Sequence, residues 1–176
     1  MDENRFGFIH SATELKVLIL YILSRISVPC PREDLTDLTL MTDNGIGYFE
    51  FSDCLADLVK TQHITEQDNK YTITKKGIEN GKSMETSVPY SVRIRAEKAA
   101  ATLNGVLSRD SMITSSRVLR QRGGYTLKLA LNDGVGEIIN MELLCADEKS
   151  AKTIEANFRK NAEKIYGKII GILLEE

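Results

Sequence analysis

A chain of 176 residues has room for one medium domain or two small ones, and for a core that needs no disulfide or metal staples. Apolar residues make up 42% and charged residues 27%, and with only 12 Gly and 3 Pro the collagen-like and low-complexity classes are excluded. The formal net charge of −2 hides an asymmetry: residues 1–86 hold nine Lys+Arg against fourteen Asp+Glu, net −5, while residues 87–176 hold fourteen against eleven, net +3.

Cys30, Cys54 and Cys145 are odd in number and form no CxxC pair, so they read as buried thiols in a reducing compartment rather than as disulfides or zinc ligands. The longest apolar run, Val17 to Leu23, is less than half the roughly 20 residues a membrane span needs. Met1-Asp2-Glu3-Asn4-Arg5 is acidic and lacks the basic-then-apolar order of a secretory signal. A cytoplasmic protein is expected.

In chain order, Ser11 three residues before Glu14 has capping-box spacing, and Leu15, Leu18, Ile19, Ile22 and Ile26 recur on one helical face. This predicts a helix over about 11–25, buried on one side. Val28-Pro29-Cys30-Pro31 breaks it, and Pro31 suits the first turn of a second helix whose Leu35 and Leu38 face inward. Residues 41–47 are rich in Asp, Asn and Gly and read as a loop. A third helix carries the stripe Phe51, Cys54, Leu55, Leu58. Ile64, a polar turn over 66–69 and Tyr71-Thr72-Ile73 predict a two-stranded hairpin, and Thr74 caps a fourth helix running toward Met84.

Three helices, a ribbon and a closing helix follow the order of a winged helix-turn-helix. Lys70-Tyr71-Thr72-Ile73-Thr74-Lys75-Lys76-Gly77 resembles the wing-to-helix passage of many bacterial winged-helix regulators, and Leu55 to Ile64 resembles the end of their recognition helix and the first wing strand. The whole chain also resembles an uncharacterised bacterial family that couples such a domain to a C-terminal α/β domain. That resemblance implies regulation and little settled chemistry.

A boundary is expected at Ser87-Val88-Pro89, giving a winged-helix domain over 1–86 and a dimerisation or sensing domain over 87–176. The second begins with a helix over about 89–107. Gly123-Gly124 and Asn132-Asp133-Gly134 then mark hairpin turns of a three-stranded antiparallel meander. Tyr125, Leu127, Leu129 and Leu131 alternate with polar neighbours, and a third strand over about 135–145 is apolar enough for both its faces to be covered. Asp147 caps a long last helix whose Ala151, Ile154, Phe158, Ala162, Ile165, Ile169 and Ile172 form a seam fit for the sheet, for a second subunit, or for each along different parts of its length. The fold class is therefore α+β.

Catalysis finds no motif: HExxH, GxSxG and GxxxxGK[ST] are all absent, and His10 and His63 stand alone. No covalent chemistry, cofactor or metal is expected. The leading expectation is a homodimeric transcriptional regulator, in which Tyr48, Ser52 and Asp53 meet base edges of duplex DNA while Arg32, Lys70, Lys75 and Lys76 hold phosphates. A small-molecule effector is compatible with it. The objection is electrostatic, because affinity for duplex DNA comes largely from cations that displace counterions, and Glu50, Asp53 and Asp57 line the helix that would enter the groove. Arg93, Arg95 and Lys98 offer compensating charge. The alternative uses those same three acids to bind a basic protein partner without touching DNA. A third expectation has Arg117, Arg120 and Arg122 clamping a small anion.

Overall fold

Ser11 opens the first helix, α1 (Ala12–Leu23), its hydroxyl accepting the Glu14 N–H at 3.2 Å. The Glu14 carboxylate turns back to the His10 N–H at 2.8 Å, one residue earlier than in a strict capping box. In this computed structural model, which describes residues 8–175, the architecture is α+β. The reading of Met1 to Arg5 lies outside the described residues.

Helices α2 (Arg32–Thr42) and α3 (Tyr48–Lys60) follow, joined by a loop that the Asp43 carboxylate organises: it accepts the Ile9 N–H at 2.6 Å and the Gly45 N–H at 2.9 Å. The stripe of α3 is as its spacing predicts, with Phe51, Cys54, Leu55 and Leu58 buried. The hairpin comprises β2 (Ile64–Gln67) and β3 (Lys70–Ile73). Asp68 and Asn69 between them take φ of 51° and 59°, the left-handed pair of a two-residue hairpin turn. Thr74 then caps α4 (Lys75–Ser83), accepting the Gly77 N–H at 3.1 Å. Gly77 has no substitute here, since a Cβ would stand 2.1 Å from the His63 carbonyl oxygen.

Two expectations change in this region. The ribbon has a third strand, β1 (Cys30–Pro31), which pairs antiparallel with β3 to give the order β1-β3-β2. Proline is tolerated there because an edge strand leaves one side of its ladder unused. Helix α1 is buried nearly all round: Leu15 and every residue from Val17 to Leu23 lie in the core, because α2, α3, α4 and β3 all pack on it.

The expected boundary at 86/87 also moves. The chain divides into compact units at Leu107/Ser108, inside helix α5 (Tyr90–Met112). Val88, Val92, Ala96 and Ala100 belong to the first core, and Tyr21 donates its hydroxyl to Glu97 at 3.3 Å.

The second unit is the meander β4 (Ile113–Leu119), β5 (Tyr125–Asn132), β6 (Glu137–Cys145), closed by α6 (Glu148–Leu174). Asp147 caps α6 by accepting the Ser150 N–H at 2.9 Å. Gly124, at φ +77°, brings its backbone so near the Cys145 carbonyl that a Cβ would sit 2.8 Å from it. Leu127, Leu129, Leu131 and Ile113 pack against Ala151, Phe158 and Ala162 of α6. The seam of α6 is covered only in part: Ile172 is 68% exposed, and Asn161, at φ −130° and ψ 21°, interrupts the helical geometry. Strand β6 is likewise open on one face, with Leu144 69% exposed, because α6 packs on the opposite face of the sheet. No helix is long and apolar enough to cross a membrane among the described residues.

Candidate nucleic-acid interface

The stripe that buries one face of α3 turns Phe49, Asp53 and Lys60 to the opposite side, at positions four and seven apart. All three are exposed, and Phe49 is 84% so. Its ring meets that of Tyr48 edge-on at 6.0 Å between centroids. Phe49 is the residue that motif reasoning passes over. Its signal is positional: it stands across the helix axis from Phe51 and Leu55, where an aromatic has no core to enter.

The expected contacts divide into two groups. Arg32, Tyr48 and Ser52 come together at the head of α2 and α3, where Arg32 donates to the Ser52 hydroxyl and to the Tyr71 hydroxyl, each at 3.4 Å. Arg32 thus ties α2 to α3 and β3, and its guanidinium is shared with the fold. Lys76 is similarly occupied, donating to the Thr61 carbonyl at 2.7 Å. Lys70 on the hairpin and Lys75 at the start of α4 are exposed and form no ion pair among the described residues.

The acids divide as well. Asp57 is held by Lys16 of α1 at 2.9 Å, which keeps its carboxyl below the usual range and raises the Lys16 ammonium. Two of the three acidic side chains, Glu50 and Asp53, remain without an ion pair among the described residues. The compensating cations of α5 are reduced by the same accounting. Arg93 pairs with Glu85 at 3.2 Å, and Arg95 donates to the Thr42 carbonyl at 2.9 Å, leaving Lys98.

The remaining candidates resolve into structural contacts. The His63 ring bridges Thr61, at 2.7 Å from Nδ1, and Asn80, at 2.8 Å from Nε2. Arg117 pairs with Glu155 of α6, whereas Arg120 and Arg122 lie in the turn beyond the end of β4, so the three guanidinium groups do not share one strand face. No group of three or more His, Cys, Asp or Glu fit to hold a metal is present among the described residues.

The molecule is thus an α+β protein of two units, the first presenting an exposed helix face beside a β-hairpin. It belongs to the family described as Domain of unknown function (DUF4364), whose model matches residues 15–173. No curated protein and no solved structure matches it.

Proposed function

We propose that the chain binds duplex DNA as a paired regulator, with α3 entering the major groove and the β2–β3 hairpin reaching the flanking backbone. The observation that carries this reading is the outer face of α3. Phe49, Asp53 and Lys60 stand clear of the core on one helix, which is the shape and width a major groove admits. Phe49 suits a thymine methyl, and Asp53 suits the amino group of cytosine. Lys70 and Lys75 supply phosphate contacts, and the pairing of Asp57 with Lys16 lowers the repulsion that three free carboxylates would impose. Three free, buried thiols suit a reducing, cytoplasmic setting.

The test is fluorescence anisotropy with duplex genomic fragments at about 50 mM salt, where counterion release favours binding most. Binding is expected there, with Phe49→Ala weakening it and the Lys70→Ala, Lys75→Ala pair lowering the salt slope by roughly two. Absence of any binding at that salt overturns the reading.

One observation favours a second reading. An aromatic as exposed as Phe49 beside Glu50 and Asp53, which form no ion pair among the described residues, also has the composition of an anchor for a basic protein. In that case Glu50→Lys abolishes capture of a stoichiometric protein partner. On DNA the same change strengthens binding, so the two readings move in opposite directions.

A further inference from the structure

Helix α2 and the part of α5 that lies in the first unit leave an open groove between them, about 590 Å³ in volume, lined by Leu38, Ala99 and Leu103. Two apolar side chains on its banks stand in water, Met41 at 80% and Val106 at 54% exposed. Apolar side chains gathered in one groove, rather than scattered singly, give a partner a surface to cover. A small apolar ligand fits poorly, because the groove is open and would leave much of such a molecule in solvent, whereas a ligand pocket encloses most of its occupant.

The banks carry opposite charge. Asp34 and Asp37 stand on the α2 side, and Arg95 and Lys98 on the α5 side. Asp34, Asp37 and Lys98 form no ion pair among the described residues. An acidic partner is attracted by one bank and repelled by the other, and a basic partner meets the same conflict in reverse. A second copy of this chain escapes it. A two-fold axis lays the acidic bank of each copy against the basic bank of the other, so the complementarity is satisfied twice. Ala99 and Thr102 on α5 are short enough for close approach.

We propose that this α2–α5 groove is the surface through which two copies of the chain pair, with Asp37 of each facing Lys98 of the other. The inference rests on the paired-molecule part of the proposed function and is independent of DNA contact. Sedimentation equilibrium of the full chain without DNA tests it. The wild type is expected to be dimeric, and Asp37→Lys alone or Lys98→Glu alone should each weaken association about 100-fold, since symmetry applies every reversal twice. An equimolar mixture of the two variants is then expected to recover the dimer, because a mixed pair again places opposite charges at both contacts. Val106→Glu, a change at another exposed position, should give the same loss without recovery on mixing. A chain that stays monomeric throughout overturns both this surface and the paired reading. A dimer that neither reversal weakens, or variants that fail to recover on mixing, overturns the groove and leaves pairing elsewhere.

Discussion

Several single side chains carry more of the fold than their type suggests. Asp43 is 1% exposed and satisfies two backbone N–H groups, so Asp43→Ala should strand both donors and cost about 2 kcal/mol, read as a lower denaturant midpoint. Thr74 both accepts the Gly77 N–H and donates to the His63 carbonyl at 3.0 Å, and its change to Ala should cost about 1 kcal/mol. Burial, helped by nearby Lys76 and Lys16, holds the His63 imidazole below its ordinary 6.5. Between that value and the lower folded one the unfolded chain binds more proton, so the stability His63 contributes is complete above pH 6.5 and is lost as pH falls below it. His63→Gln should therefore show a smaller drop in denaturant midpoint between pH 7.5 and pH 5 than the wild type, and an equal drop would refute this role. Burial also pushes the Cys30 thiol up to about 12, and slow reaction of the native protein with an alkylating reagent is expected at that position.

At the scale of elements, helix α6 separates positions that a seven-membered seam makes look equivalent. Phe158 is 1% exposed in the second core, and Phe158→Ala should cost about 3–5 kcal/mol. Ile172→Ser, at a 68% exposed position on the same nominal seam, should change stability by less than about 0.5 kcal/mol. Sequence alone marks the seam but not its end, because spacing records which face is apolar and not what lies opposite. The same limit explains β6, whose apolar outer face is equally suited to burial and to exposure. Strand β1 was illegible for another reason: two residues, the second itself a proline, have no periodicity, and only the partner β3 makes them a strand. The stripe of α3 and the caps at Ser11, Thr74 and Asp147 were legible because neighbouring residues alone determine them. Of the candidate site, position could be read but engagement could not: nothing local ties Lys16 to Asp57, 41 residues away, or Arg32 to Tyr71, 39 away.

The whole molecule holds two separate cores, each with its own electrostatic support. In the second unit Asp133, Asp147, Glu148 and Glu163 all lie below the usual carboxylate range, held respectively by the Gly136 N–H, the Ser150 N–H, Lys152 and Arg109. In the first, Lys16 lowers Asp57 in the same way. Depressed folded values mean stability that is present above the ordinary range and lost as pH falls through them, below about pH 4. Acid titration followed by amide exchange should therefore show the second unit weakening below about pH 4, less steeply in Glu163→Gln than in the wild type, and an equal loss would contradict this role. The course of α5 has its own bearing on dissection of the protein. The apparent joint near residue 87 is a false seam: a polypeptide stopping at 86 sheds a wall of its own interior, namely Val88, Val92, Ala96 and Ala100. One stopping at 107 retains that wall and should melt cooperatively by itself, with α3 and its hairpin intact.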